Sequence, residues 1–245
     1  MPKLIPPKDE ETAYPMRINK YLAHCKFASR RQADHLIEKG YVTINTHRAV
    51  VGDKVNEGDM VEVDTEVMKK KRQNDIYIAY HKPIGVVSHS PEKGQRGIEE
   101  IFNFNTRLFP MGRLDQNSHG LIILTNDGRI TKKLLEPKYE HEKEYEIMVD
   151  KALNLRDIKR MADGVALDDF TTKPAKVEKL SEKKFRIILT EGKKHQIRRM
   201  CEALGYKVID LCRMRIMHIQ LGSLIPGRWR RIEGAELAAF LREVI

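Results

Sequence analysis

The sequence predicts an α+β fold in two parts. A small N-terminal unit of two helices and short strands precedes a larger unit built on a mixed, mainly antiparallel sheet. Three observations carry this reading. From Met16 to Gly40 the apolar residues recur at helical spacing, and short alternating runs follow. Residues 65–75, "TEVMKKKRQND", are polar and charged and form the natural linker. Beyond them, strand-like and helix-like segments do not alternate regularly, which favours an α+β layout over parallel βαβ units. The 245 residues, 41% of them hydrophobic, suffice for one large core or two smaller ones. The expected divisions are a flexible tail (1–15), an N-terminal module (16–64), the linker (65–75) and a large domain (76–245).

In chain order, "MRINKYLAHCKF" places Ile18, Tyr21, Leu22 and Cys25 on one helical face. Ser29 opens a second helix, and Ser29 with Gln32 has the form of a capping box. Ala33, Leu36 and Ile37 make its inner side, and Gly40 stops it. "YVTIN" and "MVEVD" are short strands joined through Gly52, Asp53, Gly58 and Asp59. In the large domain "IYIAYHKPIGVVS" reads as two strands broken at Lys82-Pro83 and Gly85, "GLIILT" as a buried strand, and "EYEIMVD" as an alternating one. "LRDIKRMADGV" is helical with a Gly stop, and "FRIILTEG" is a strand. "HQIRRMCEALGY" is a helix with Ile197, Met200, Cys201 and Leu204 inward. "RMRIMHIQL" reads as one strand and "EGAELAAFLREVI" as the closing helix.

The formal net charge is +10, and it has an address. Lys183 to Arg231 holds 13 Lys or Arg against 3 Asp or Glu, so the rest of the chain is balanced. His195, Gln196, Tyr206 and Trp229 are interleaved with these charges. A folded basic surface with a polyanionic partner is expected. No apolar run reaches transmembrane length. The opening residues carry acids and no apolar core of a secretory signal. Cys25, Cys201 and Cys212 are scattered and odd in number, so a reducing cytoplasm is expected. Neither the cysteines nor the nine histidines stand at metal-site spacing, so no metal is implied. No Gly-rich nucleotide loop or nucleophile elbow occurs.

The N-terminal pattern, "RINKYLAHCKFASRRQADHLIEKGYVTIN" with the later "VNEGDMVEV", resembles an S4 RNA-binding domain. Arg30, Arg31 and His35 fall on the outer side of its second helix, and Arg17 and Lys20 on the first. Downstream, "HKPIGVVS", "GRLDQNSHGLIILTNDG", "HEKEYEIMVD" and "EGKKHQIRRMCEALGY" occur in this order. Together these motifs resemble the bacterial ribosomal-RNA pseudouridine synthases of the RsuA type, which carry an N-terminal S4 domain. The likeness covers nearly the whole chain and is greatest to the RluF-like branch.

The resemblance implies the chemistry. Pseudouridylation breaks the N1 glycosidic bond of a uridine, turns the uracil and rejoins it through C5, with only a proton moved. No cofactor is required. It implies Asp115 as nucleophile, with Arg198 as the cationic partner that keeps the carboxylate charged and aimed. Tyr145 matches the tyrosine that lies against the uracil and can accept the C5 proton. Arg113 matches the arginine that fills the space of an extruded base. Lys82 and Pro83 match a Lys-Pro element packed behind the tyrosine, and Lys82 is counted with Lys20, Arg30 and Arg31 among the RNA-contacting residues. The residues alone also allow blander readings. Asp115 can be a turn cap, Tyr145 a core residue, and Arg198 a solvated helix arginine, as Arg199 is expected to be.

The expected partner is ribosomal RNA, 23S in particular, and in some members of the branch a tRNA anticodon uridine; a monomer is expected, in the cytoplasm. Two other functions fit part of the pattern. A catalytically silent RNA-binding or ribosome-assembly protein explains the S4-like module and the basic segment, but not Asp115, Tyr145 and Arg198 at matching positions. An S4-bearing methyltransferase requires a Gly-rich cofactor loop that the sequence lacks.

Overall fold

The computed structural model describes residues 3–4, 13–64 and 75–245. All but residue 75 of the expected linker (65–75), and residues 1–2 and 5–12 of the expected tail (1–15), lie outside the described residues. The chain forms two compact units: Met1–Ile76 with Asp127–Thr131 and Ile245, and Tyr77–Asn126 with Lys132–Val244.

In the first unit, β1 (Lys3–Leu4), β2 (Met16–Arg17), α1 (Ile18–His24), α2 (Arg30–Glu38), β3 (Val42–Ile44), β4 (His47–Arg48), β5 (Lys54–Val55) and β6 (Val61–Val63) follow one another. The predicted capping box is present. Ser29 Oγ accepts from Gln32 N, and Gln32 Oε1 accepts from Ser29 N at 3.1 Å. The predicted stop is a Schellman motif: Gly40 N donates to Ile37 O, Tyr41 N to Leu36 O, and Gly40 has φ +75°. Ile18, Tyr21, Leu22, Ala33, Leu36 and Ile37 are buried together with Val42, Val61 and Val63. Two expectations need correction. Met16–Arg17 is extended and pairs with β5, so the first helix starts at Ile18. Lys3–Leu4, placed in a flexible tail, is an edge strand on β6, and the Tyr21 hydroxyl donates to Leu4 O at 2.8 Å. On the helices Arg30, Arg31 and His35 are exposed and Lys20 is half-buried, as the spacing requires; Arg17 is exposed on β2 rather than on the first helix.

The second unit contains β7 (Tyr77–Lys82), β8 (Val86–Val87), β9 (Arg96–Gly97), α3 (Ile98–Ile101), β10 (Phe109–Met111), β11 (His119–Thr125), α4 (Thr131–Leu135), β12 (Lys143–Val149), α5 (Leu155–Asp163), β13 (Lys176–Lys179), β14 (Lys184–Leu189), α6 (Gln196–Ala203), β15 (Val208–Ile216), β16 (Ile219–Gln220), β17 (Trp229–Arg231) and α7 (Gly234–Val244). Among the described residues its main sheet has nine strands, ordered β13-β14-β12-β15-β11-β7-β17, with β10 on β11 and β16 on β15. β11 and β15 run parallel, and the other pairs of this sheet are antiparallel. "RMRIMHIQL" is not one strand. β15 begins earlier, at Val208, and the chain turns at Met217, with φ +52°, into β16. Both arms of that hairpin alternate, so the pattern ran through the turn unseen.

The pairing sets residues in rows across the sheet. Lys82, Gly120, Arg213, Tyr145 and Ile187 form one row, on β7, β11, β15, β12 and β14. His119, Cys212, Glu146, Arg186 and Glu178 form the next. Side chains alternate along a strand, so these two rows face opposite sides. The first faces the apolar core of Tyr145, Ile147, Phe185, Ile187, Ile197, Met200 and Leu211. Gly120 is required where β11 and β15 meet. It has φ +108°, and a Cβ there would lie 2.4 Å from Arg213 O and 2.5 Å from Arg213 N.

Candidate active site

The turn between β10 and β11 is held residue by residue. Arg113 O accepts from Arg213 Nη1 at 3.2 Å. Leu114 N donates to the buried Ser88 Oγ (3.0 Å), which donates back to Leu114 O (2.9 Å). Gln116 O accepts from Gly85 N at 2.8 Å. Arg198 Nη2 donates to Asn117 O at 2.7 Å and to Ser118 Oγ at 3.3 Å. Ser118 N closes the turn onto Asp115 O at 3.0 Å.

Amid this bonding, the Asp115 carboxylate makes no hydrogen bond among the described residues. It is 41% exposed, and its one ionic contact there is His195 Nε2, 3.4 Å from Oδ1. The other turn aspartates show what capping looks like. Asp53 accepts from Val50 N, Asp59 from Asn56 N and Asp150 from Lys207 N, each within 2.8 Å. The turn-cap reading of Asp115 is therefore wrong: its turn is stabilised by other groups and its carboxylate is free.

Asp115 lines a cavity of about 360 Å³ together with Arg113, Tyr145, Arg198, His195 and Lys193. Leu189, Ile197 and Leu211 supply apolar wall. Such a mixture of apolar wall and a few polar groups suits a small planar ligand. Tyr145 is 8% exposed, and its hydroxyl has no hydrogen-bond partner among the described residues. Its ring is fixed in the core edge while its polar end is uncommitted. Arg113 is exposed at the cavity, its guanidinium likewise uncommitted. Thus Arg113, Asp115, Tyr145 and Arg198, four residues from three separate motifs, meet in one place.

Three roles differ in detail from the sequence reading. Arg198 does not bond the Asp115 carboxylate. Its hydrogen bonds go to Asn117 and Ser118, so it fixes the turn, and the side chain beside the carboxylate is His195. His195 adopts φ +54° at the start of α6. The loop before it is tied by Gln196, which donates to Glu191 Oε1 at 2.6 Å and accepts from Lys193 N at 3.0 Å. Lys82 is not an RNA contact: it is fully buried, and its Nζ donates to Val86 O (2.7 Å) and Pro83 O (2.9 Å). Burial, aided by the Arg213 charge, lowers its pKa to about 8, while Asp115 pulls the other way. Lys82 holds the 83–86 loop, whose Gly85 holds Gln116. It does not pack behind Tyr145; Gly120 and Arg213 stand between them in the row. Arg199 pairs with Asp169 and lies over the Phe170 ring, as a structural arginine.

Arg213 is a residue the sequence reading missed. It is 2% exposed, donates from Nε to Leu121 O at 2.6 Å, and leaves a buried Nη2 without a partner. In sequence it is one more arginine in an alternating basic strand. Only the pairing with Gly120 marks it.

Comparisons with known proteins show the family. The family model for RNA pseudouridylate synthase matches residues 76–203, and that for the S4 domain matches residues 16–61. The dual-specificity RNA pseudouridine synthase RluF of Escherichia coli K12 is 42% identical over 223 residues, covering 91% of this chain and 77% of that protein. The ribosomal large subunit pseudouridine synthase B of Bacillus subtilis is 36% identical, covering 90% of this chain and 93% of the relative. A crystal structure of a pseudouridylate synthase aligns over 94% of this chain and all of its own, with 26% identity and a TM-score of 0.66. The silent-binder and methyltransferase readings are thereby set aside. The chain belongs to the S4-bearing RNA pseudouridine synthases, enzymes that isomerise uridine to pseudouridine in RNA.

Proposed function

We propose that this enzyme modifies a uridine of large-subunit ribosomal RNA, and a tRNA uridine as a second substrate, with Asp115 as the nucleophile. One observation carries the assignment of Asp115: a carboxylate with no structural task, on a turn immobilised by its neighbours, at the edge of a cavity sized for a base. Preorganisation of this kind lowers the barrier because the attacking group is aimed before the substrate arrives.

In this reading Arg113 enters the stack as the uridine leaves it, and the uracil lies on the Tyr145 ring. Asp115 attacks the sugar as the C1′–N1 bond breaks. The freed uracil turns, C5 bonds to C1′ as the Asp115–C1′ bond breaks and the carboxylate leaves, and the Tyr145 hydroxyl relays a proton, taking the one from C5 as it gives its own to N1, so no atom is gained or lost. Arg198 and Arg213 act through the turn, as positioning residues. Arg30, Arg31 and Lys20 make phosphate contacts from the N-terminal unit. The choice of RNA follows the names of the relatives, one dual-specific and one of the ribosomal large subunit. No helix of the described residues is long and apolar enough to cross a membrane. In this reading the enzyme acts in the cytoplasm, as a monomer.

The test of the chemistry is Asp115→Asn, assayed by tritium release from RNA labelled at uridine C5. The amide keeps the shape but cannot attack. Isomerisation is expected to vanish with RNA affinity nearly unchanged, and turnover by a homogeneous Asn variant overturns the assignment. The target is tested separately, by pseudouridine mapping of rRNA and tRNA from a deletion strain. Loss at a large-subunit position supports it, and loss confined to the small subunit refutes it.

A further inference from the structure

We propose that His81, His119 and Cys212 form a binding site for a divalent transition-metal ion of the zinc class, on the side of the sheet away from the Asp115 cavity. The three stand on adjacent strands, β7, β11 and β15. His81 Nε2, His119 Nδ1 and Cys212 Sγ all lie within 4.8 Å of one another.

The outer nitrogens fix the state of the inner ones. His81 Nδ1 is 2.7 Å from Leu224 O, and a carbonyl only accepts, so Nδ1 carries a hydrogen. His119 Nε2 is 3.0 Å from Asp210 Oδ1, and a carboxylate accepts, so Nε2 carries one too. In the neutral rings both inner nitrogens then present lone pairs. Those nitrogens are 2.9 Å apart, with the rings within 10° of parallel and their centroids 5.2 Å apart. The rings therefore meet edge to edge, lone pair against lone pair. Two lone pairs so placed converge on one point, which a bound cation can occupy.

The surroundings favour the metal. Histidines that bind metals donate their outer N–H to a carboxylate or a backbone carbonyl, and both arrangements are present here. A proton satisfies two nitrogens and leaves the adjacent thiol without a task; a metal uses all three. Two imidazoles and a thiolate select zinc-class ions over magnesium or calcium. Tetrahedral bonds to zinc put ligand nitrogens about 3.4 Å apart, so the rings need to open by about half an ångström. The ion clamps three strands just behind the turn that carries Asp115, because His119 begins β11 directly after Ser118. It touches no reacting atom.

The experiment uses the full chain, stripped with chelator and titrated with cobalt(II). Expected are one ion per chain, a thiolate-to-cobalt charge-transfer band, and intense tetrahedral d–d bands that zinc abolishes. Cys212→Ser removes the charge-transfer band, whereas Cys25→Ser and Cys201→Ser keep it. Asp210→Asn weakens binding by roughly 10- to 100-fold, as loss of an outer partner does. Absence of saturable binding, or a signal that survives Cys212→Ser, overturns the proposal. If the ligand variants fail to fold, the unaltered chain decides. Saturating zinc must shift the ring resonances of His81 and His119. A proton resonance shared between the two rings that persists in zinc shows a proton site and refutes a metal site.

Discussion

The two faces of the main sheet treat positive charge in opposite ways. On the back, cations meet carboxylates. Arg186 donates to Glu146 and Glu178, each at 3.1 Å, and ion-pairs with Glu144. Arg215 donates to Glu144 (2.9 Å) and Glu142 (3.0 Å). On the front, cations meet carbonyls. Lys82 rests on Pro83 and Val86, Lys143 on His141, and Arg213 on Arg113 and Leu121. The protonation equilibria record the difference. The hydrogen bond to Glu146 raises the pKa of Arg186, whereas burial lowers Lys82 and Lys143 to about 8. A carbonyl orients a cation without cancelling its charge. The front therefore keeps an uncancelled positive field beside the Asp115 cavity, and the back spends its charges on strand pairing.

That contrast is broken most severely at Arg213. Arg213→Met should remove the donors to the carbonyls of Leu121, in a buried bond, and Arg113, in a part-buried one, at about 1–3 kcal/mol for the buried one and less for the other. Chemical denaturation should show that loss. The turn of Asp115 would also relax, and a misplacement near 1 Å costs on the order of 100-fold in rate. Single-turnover pseudouridine formation should fall by that order with RNA affinity little changed. A stable, fully active Arg213→Met protein would show that the front cations do not position the turn.

Tyr145 sharpens the comparison from the same row. Tyr145→Phe keeps the ring and removes a hydroxyl with no structural partner, so stability should hold while turnover drops sharply. Tyr145→Ala should lose base retention as well. A wild-type rate for Tyr145→Phe excludes the hydroxyl as the C5 base. Arg113→Ala should be milder and conditional. Extruding a stacked base costs a few kcal/mol, roughly, and less for an unpaired one. A substrate with its target uridine already unpaired should recover part of the lost rate. Equal defects on paired and unpaired RNA would mean that Arg113 does not open the stack.

How far the sequence disclosed these faces depended on distance along the chain. Local signals were legible: the Ser29–Gln32 box, the Gly40 stop, the buried run of β11, and the inward residues of α6. Asp115 and Tyr145 were legible through their motifs. The rows were not, because they depend on which strands pair and in what register. Arg213 lies far from Gly120 in sequence, and its burial follows from that pairing alone. Lys82 was counted among the RNA contacts because nothing local shows that two backbone carbonyls wait for it. His81, His119 and Cys212 sit on three strands, beyond any spacing rule. β10, β13 and β17 were unread for local reasons: "FPM" contains proline, "KVEK" is mostly charged, and "WRR" hides in a basic run.

The smallest effect should come from the back. Arg186→Gln removes the centre of a network joining Glu144, Glu146 and Glu178. Its side chain is 35% exposed and Glu178 is 64% exposed, so water screens these pairs and relieves the acids left behind. Exposed pairs are worth about 0–1 kcal/mol, and a network somewhat more. Lys184 also remains beside Glu146 to offset part of the loss. The melting temperature should fall by a few degrees at most, about 2–4 °C per kcal/mol for a chain of this size. The loss should shrink in high salt, where these charges are screened in any case. Turnover should be unchanged, because Arg186 faces away from the cavity and touches none of the groups that hold the turn. A large fall in turnover for a stable, folded Arg186→Gln protein would show that charge is shared between the two faces, and the division drawn from the rows would fail.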